Sequence, residues 1–295
     1  MSFNEILKNK ATECENFLSK YFIDLNDDRT TLYEAMKYSI NTGGKRLRMI
    51  ILLECARLFS SNIEECIPFA CAVEMIHTYS LIHDDLPSID NAEYRRGKLC
   101  NHILFGESMA ILAGDGLVHY AFEVMIAASL KQDKRKSHLF LQAMNEIASY
   151  SGAGGMVLGQ SIDTQTNIPI DVDLLKFIYA KKTASMFIGP MKAGAIISGA
   201  NYAEINIISN FAYNLGMAFQ IADDILDETG NFEELGKNIG TDKSNNKITI
   251  SSILGIDKAY SLSKEYTSEA KKAISSFEMC DFFISLCDYI INRKS

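Results

Sequence analysis

Apolar residues recur along this chain at helical spacing almost from end to end. Residues 3–21 set Ile6, Phe17 and Leu18 among charges, and residues 29–40 repeat the pattern; both predict amphipathic helices. Residues 49–59 and 64–86 are more apolar and predict buried helices. Residues 107–130 form a long apolar stretch with Gly114-Asp115-Gly116 inside it, and 133–149 are amphipathic again. Helices are predicted at 172–199, 201–228, 256–276 and 277–293. The glycine-rich residues 151–163 look superficially like a phosphate loop, but no strand precedes them and no GKS or GKT follows. Close helix contact is the better reading, with Gln160 and Asp163 kept as polar candidates. KITISSILG, from Lys247, alternates like a strand but has no strand to pair with, so it is read as a short helix. The sum is about twelve helices and no credible sheet: an all-α bundle, taken as a single domain over residues 1–295 around a deep cavity.

Two stretches break the apolar pattern with dense charge. LIHDDLPSIDNAEYRRG, residues 81–97, brings Asp84, Asp85 and Asp90 together with Arg95 and Arg96. Carboxylates at this density repel one another unless a cation sits among them, and Mg2+ commonly joins one or two carboxylates to a substrate phosphate. Arginine pairs favour bidentate phosphate contacts. Asp84 and Asp90 lie about 240° apart on a straight helix, so a break after Asp85, which Pro87 favours, would bring Asp90 back to the others. The second stretch is FQIADDILDE, residues 219–228. Gly216, Gln220, Asp223 and Asp227 form one polar stripe on an otherwise apolar helix. Buried carboxylates are costly unless paired or metal-bound, so the stripe should face a cavity shared with the first cluster.

Smaller features depend on these two. Gly43-Gly44-Lys45-Arg46-Leu47-Arg48 allows close backbone approach and adds three basic residues, a pattern that alone reads equally as a solvated helix start. His77 lies seven residues before Asp84, on the same helical face; His83 is read as structural. Lys181-Lys182-Thr183 interrupts an apolar helix and fits either charge inside a cavity or a lysine that snorkels to the surface.

Composition changes the picture little. A net charge of −8 argues against nucleic acid as a partner. Anionic substrates stay possible if the carboxylates recruit Mg2+ and the basic residues cluster locally. The seven cysteines include no CxxC pair and read as buried free thiols in a reducing compartment. No secretory core is evident at the N-terminus, and no uninterrupted apolar run reaches about 18 residues. A cytoplasmic protein without a membrane span is expected.

GGKRLR at 43–48, IHTYSLIHDDLPSID with RRGK at 76–98, AILAGD at 110–115, GMVLGQSID at 155–163, KT at 182–183, FQIADDILD at 219–227, GK with GTD at 236–242, and Lys247 resemble the trans-prenyltransferases, the short-chain isoprenyl diphosphate synthases. The resemblance runs in order over nearly the whole chain, and its paired Asp motifs with RRG are highly specific. Four residues separate the Asp pair from Asp90, as in the bacterial farnesyl type. The resemblance implies the isoprenoid synthase fold and a Mg2+-dependent head-to-tail condensation. Isopentenyl diphosphate would be joined to dimethylallyl and then geranyl diphosphate, giving farnesyl diphosphate through an allylic carbocation. It implies Asp84, Asp85, Asp90, Asp223, Asp224 and Asp227 as metal residues, with three ions when substrate is bound. Arg95, Lys182, Lys237 and Lys247 would hold the allylic diphosphate. Gly44, Lys45, Arg48, His77 and Arg96 would hold isopentenyl diphosphate. Thr183 and Gln220 would stabilise the carbocation, with Lys182 and Arg95 also in the catalytic set. A homodimer is implied too, for which residues 107–130 could supply an interface.

Asn91 and Ala92 stand where bacterial members often carry more acid, and Ala184 replaces the glycine usual after Lys-Thr, which predicts a narrower cavity beside Thr183. Chain length points to Tyr79, about 7.5 Å back along the helix from Asp84, as a plug at fifteen carbons. Farnesyl-producing bacterial members carry an aromatic there. Helical geometry puts Ser80 nearer Asp84's face, about 40° away against about 140° for Tyr79; Tyr79 as a simple core residue is the alternative. The competing functions are a geranylgeranyl diphosphate synthase, a terpene cyclase and a non-catalytic synthase subunit. The DDILD second motif and GGKRLR argue against a cyclase, and the undamaged Asp motifs argue against an inactive subunit.

Overall fold

A computed structural model describes residues 1–165, 168–229 and 248–293. It contains fourteen α-helices among those residues, two of them only five residues long. They are α1 (Phe3–Phe22), α2 (Leu32–Ile40), α3 (Leu47–Arg57), α4 (Ile67–Asp84), α5 (Asn101–Phe105), α6 (Glu107–Leu130) and α7 (Lys134–Ser151). Then follow α8 (Met156–Asp163), α9 (Val172–Tyr179), α10 (Ser185–Ile197), α11 (Tyr202–Thr229), α12 (Ile250–Leu254), α13 (Ile256–Ile274) and α14 (Asp281–Asn292).

Two apolar clusters make the core. One gathers α1, α2, α4, α6 and α7; the other gathers α9, α11, α13 and α14. Helices α3 and α10 belong to both: Leu52 and Met186 face the first cluster, Ile51 and Phe187 the second. Both helices are apolar nearly all round, which suits a central place. They touch backbone to backbone at Gly194, where an added Cβ would collide with the Leu52 carbonyl. Deleting a large side chain from this seam, as in Phe187→Ala, would cost about 3–5 kcal/mol.

Several helices carry local start signals. Ser2 and Glu5 form a capping box at α1, Asp171 caps α9, and Thr249 with Ser252 caps α12. The KITISSILG stretch is therefore helical from Ile250, as the lack of a pairing strand implies.

The expectation of no sheet needs one correction. Tyr94–Arg95 pairs antiparallel with Lys98–Leu99. Arg96 and Gly97 both adopt positive φ, 53° and 73°, the requirement of a tight two-residue hairpin turn. The hairpin is too short to show as alternation, yet it sends Arg95 and Arg96 in different directions.

A second correction concerns residues 172–199. They are not one α-helix: a π-helical turn, Ala180–Ala184, separates α9 from α10. Helix α6 is long and apolar enough to cross a membrane by length and composition. Its inner face, including Ala113, Leu117 and Met125, is buried in the core, while Glu107, Asp115, His119 and Glu123 are exposed on the other side.

Candidate active site

Helix α4 ends at Asp84, and the chain then doubles back. The Asp90 amide donates to the Asp84 carbonyl at 2.9 Å, and the Asn91 amide to the Leu86 carbonyl at 3.0 Å. Asn91 adopts φ 48° to make this turn, which asparagine tolerates better than most residues. Asp90 thus returns to the end of the helix that carries Asp84 and Asp85. The departure at Asn91 has a backbone role here.

Asp85 is buried and accepts from Arg95 through both Nε and Nη2, at 2.6 to 2.9 Å. Arg96 turns the other way, onto the Gly43 carbonyl. It lies flat against Gly44, where an added Cβ would fall 2.5 Å from its Cζ, and Gly44 itself sits at φ 122°. The positive φ is what favours glycine there; a Cβ would only make the Arg96 guanidinium shift. The hairpin and the GGKR loop therefore meet through Arg96.

Arg46, the remaining base of that loop, is structural. It is buried, adopts φ 48°, and pairs with Glu74 at 3.1 Å while donating to the Ile40 carbonyl at 2.6 Å. Arg48 reaches inward: its Nη1 lies 3.2 Å from His77 Nε2, and its guanidinium lies 5.6 Å from the Phe187 ring centroid. Burial, followed by the charges of Arg48, Arg96, Arg95 and Arg46, holds the His77 imidazole well below its ordinary range. Neutral His77 can then accept from Arg48 at Nε2, leaving the proton on Nδ1. Burial pulls Arg48 itself down to about 10, with Glu74 and Asp223 opposing and Arg96 assisting. Arg48 thus feels both Arg96, beyond the first Asp cluster, and Asp223, in the second. Lys45 extends over the Tyr289 ring at 5.5 Å.

In the second cluster Asp223 is half-buried, while Asp224 and Asp227 are buried. Asp223 pairs with Arg293, whose guanidinium also lies 4.1 Å from the Phe219 ring centroid and donates to the Phe219 carbonyl at 3.1 Å. Asp224 accepts from the Tyr179 hydroxyl and, at 3.0 Å, from Gln220 Nε2. Gln220 Oε1 accepts from Thr183 at 2.6 Å.

The π turn sets that contact. It widens the helix by one residue, a device common at functional sites. Gly159 of α8 packs directly on the Lys182 backbone, and Lys182 pairs with Asp163 of α8 at 2.7 Å. Lys181 points elsewhere, to the Gly154 carbonyl at 2.9 Å. The Lys-Lys-Thr ambiguity resolves into one inward ion pair, one outward lysine and one buried hydroxyl. Ala184, beside Thr183, is fully buried against Gly216, whose added Cβ would lie 2.5 Å from the Ala184 Cα. The glycine of the Gly216 stripe serves this helix contact.

Tyr79 lies partly buried on α4, edge-on to His83 at 5.5 Å between ring centroids. The ring packs against the first core cluster, and burial, then the charges of Asp84 and Asp115, push its hydroxyl up. Ser80 turns its hydroxyl back to the His77 carbonyl at 2.8 Å. His83 Nε2 meets the Ile111 carbonyl at 3.1 Å, a structural role as expected. A cavity of about 490 Å3 opens at the opposite end of α4 and α6, lined by Pro68, Tyr120, Val124 and Phe140. Lys237 and Lys247 lie outside the described residues.

The donor set suits a hard divalent cation. Both Asp clusters stand at the C-terminal ends of long helices, α4 and α11. Those ends carry partial negative charge that favours cations and disfavours the carboxylates already there. Among the described residues no group of three His, Cys, Asp or Glu side chains is preassembled around one point.

Sequence reasoning missed Arg293 and Tyr179. Arg293 carries no local signal, because only the fold returns it to Asp223. Tyr179 had one signal: it lies four residues before Thr183 in an apolar run.

Residues 29–280 match the model of the family described as polyprenyl synthetase. The chain is 42% identical over 257 residues to a farnesyl diphosphate synthase of Geobacillus stearothermophilus, covering 87% of this chain and 86% of that protein. It is 40% identical over 269 residues to a geranylgeranyl diphosphate synthase of Cyanophora paradoxa, covering 90% and 89% respectively. Among solved structures, a geranyltransferase of Helicobacter pylori complexed with magnesium and isoprenyl diphosphate superposes with a TM-score of 0.84 at 27% identity, covering 99% of this chain and 97% of that one. An FPP/GFPP synthase from Zymomonas mobilis gives 0.85 at 31% identity, with 98% of each chain covered. The all-α architecture and the ordered motifs agree with these matches: the chain belongs to the polyprenyl synthetase family, and its activity is that of a trans-prenyl diphosphate synthase.

Proposed function

We propose that this protein condenses isopentenyl diphosphate head-to-tail with dimethylallyl and then geranyl diphosphate, releasing farnesyl diphosphate. The observation that carries the reading is the place of Arg48. It contacts His77 and lies in the field of Arg96 and of Asp223, and so ties a basic pocket to the second carboxylate cluster, while Arg95, next to Arg96, holds Asp85 of the first.

Asp84, Asp85 and Asp90 would hold Mg2+ on one side of the allylic diphosphate, and Asp223 with Asp227 on the other. The ions, three with substrate bound, would neutralise the leaving diphosphate as its charge develops. Arg95 and Lys182, each already carrying a carboxylate partner, would take allylic phosphate oxygens as bidentate and point-charge donors. Lys237 and Lys247 would complete that set. Lys45, Arg48, Arg96 and the Nδ1–H of His77 would hold isopentenyl diphosphate, with Gly44 giving Arg96 its room. The allylic C–O bond breaks. The isopentenyl double bond attacks the resulting carbocation, a C–C bond forms, and the proton lost from the isopentenyl unit passes to the departing diphosphate. Thr183 and Gln220 would set oxygen lone pairs beside the cation. No side-chain nucleophile is required. The apolar walls exclude the water that would quench the cation.

Tyr79, on α4 ahead of Asp84 and backed by His83, supports a fifteen-carbon product. A relative named geranylgeranyl diphosphate synthase keeps twenty carbons as the second reading. Exposed Ile103, Leu104, Ile111, Leu112, Ile126 and Leu130 on α5 and α6 support a homodimer. Seven free thiols suit the cytoplasm.

The test is incubation with Mg2+, dimethylallyl diphosphate and labelled isopentenyl diphosphate, with the product measured by chain length. A fifteen-carbon product is expected. Twenty carbons would overturn the farnesyl assignment, and no condensation would overturn the reading itself.

A further inference from the structure

Asp224, through Tyr179, links three elements. Its carboxylate is 4% exposed. One oxygen accepts from the Tyr179 hydroxyl of α9, and the other accepts from Gln220 Nε2 one turn back on α11. The Tyr179 oxygen in turn accepts the Ile250 amide at the start of α12, at 3.2 Å. At the other end Gln220 Oε1 accepts the only hydrogen of the Thr183 hydroxyl.

Every bond in this chain donates toward Asp224. Asp224 accepts on both oxygens, so the amide nitrogen of Gln220 faces Asp224 and its oxygen faces Thr183. Tyr179 donates its hydrogen to Asp224 and accepts the Ile250 amide, so its hydroxyl is used on both sides. With its hydrogen committed to Gln220, Thr183 has only lone pairs left to offer. An amide turned the other way would set N–H groups, the positive end of its dipole, toward a developing cation.

We propose that Asp224 is a positioning residue that, with Tyr179, locks the Gln220 amide so that the oxygens of Gln220 and Thr183 confront the allylic cation. This rests on the reading that Thr183 and Gln220 flank the reacting carbon. It moves Asp224 from the metal residues to the support of that pair.

The test is reciprocal rescue. In Asp224→Asn, Tyr179 still donates and takes the Asn oxygen. The Asn amine then points at Gln220, which must turn its own amine to Thr183. The turnover number should fall about 100-fold, while both KM values and the Mg2+ concentration for half-maximal rate change by less than about threefold. Gln220→Glu alone sets two carboxylates against each other and should lose a similar factor. The double variant Asp224→Asn with Gln220→Glu restores every donor and acceptor: the Asn amine meets one Glu oxygen, and the other accepts Thr183. Its turnover should return to within about tenfold of the original. If either single variant fails to fold, the double variant still decides, because its melting temperature should stay near that of the unmodified protein. A raised Mg2+ requirement in Asp224→Asn without rescue would overturn the proposal and make Asp224 a metal ligand, with the synthase reading intact. Failure of the unmodified protein to condense its substrates would instead overturn that reading. The melting temperatures, measured without substrate, would still report whether Asp224 and Gln220 are coupled.

Discussion

The two carboxylate clusters share a composition but are built in opposite ways. Asp223, Asp224 and Asp227 lie on an unbroken helix, and their relation to Gln220 follows from its periodicity. Asp84, Asp85 and Asp90 straddle a helix end, and only the reversal after Asp85 returns the Asp90 backbone to that end. The second cluster is mostly buried and tied into hydrogen bonds; the first has Asp90 in the open and Asp84 half-exposed. Each has one arginine on one carboxylate, Arg95 on Asp85 and Arg293 on Asp223. A helix fixes geometry at little cost, so the buried cluster can be rigid and specific. A loop can adjust, so the open cluster suits ions that arrive with substrate.

The largest expected effect tests whether the clusters act together. Asp84→Ala and Asp223→Ala should each lower the turnover number by 100-fold or more, roughly the loss of one main transition-state charge partner. Asp84→Ala should keep its fold, because it relieves repulsion at a helix C-terminus; Asp223→Ala also takes a partner from the buried Arg293, so circular dichroism and melting temperature are read beside its turnover. Excess EDTA should abolish activity in the unmodified protein. A large loss from one aspartate and none from the other would break the picture of two clusters on one diphosphate.

Next comes the contrast in what lies behind each cluster. Behind the second is seam core; behind the first, along α4, is Tyr79. Tyr79→Ala should lengthen the product to twenty carbons or more, with the first condensation little changed. Chromatography of the dephosphorylated products would show it. A variant that still stops at fifteen carbons would return Tyr79 to the plain core.

A smaller effect separates the two diphosphate sites. Arg48→Ala should raise the isopentenyl KM, leaving the allylic KM nearly unchanged. Loss of one charge-assisted hydrogen bond is worth about 1.5–3 kcal/mol, or roughly 10- to 150-fold. Equal effects on both substrates would merge the sites.

The contrast also explains what could be read from the sequence. Helix number and the polar stripe of α11 were legible because they depend on spacing alone. The return of Asp90 was legible only as a consequence of a break, since Pro87 signals that a helix stops but not where the chain goes. The hairpin at Arg95 and Arg96 was missed because two residues per strand leave no alternation to see. The π turn was missed because it adds no residue type of its own; it arises where Gly159 lets α8 approach Lys182. Arg293 was invisible for a different reason, since its partner lies 70 residues earlier. The packing of Ala184 on Gly216 was not legible because the sequence does not say which neighbour its methyl meets.

The smallest effect concerns His77, where the basic pocket can be probed without substrate. Burial and four arginines hold its folded-state value well below the ordinary 6.5. A group depressed on folding is neutral in the native state while the unfolded chain takes up a proton. The unfolded state therefore binds more protons as pH falls below about 6.5, and stability must drop with it. Above that value neither state is protonated, and the contribution vanishes. Denaturant unfolding of the unliganded protein should show a loss between pH 7 and pH 5 that shrinks in His77→Gln, whose side chain can still meet Arg48. Inorganic diphosphate should oppose the loss, because its charge offsets the arginines that depress the imidazole. A pH dependence identical in both proteins would mean that His77 is not held neutral by this pocket. The contrast between a basic, substrate-free pocket and its acidic neighbours would then have to be drawn without it.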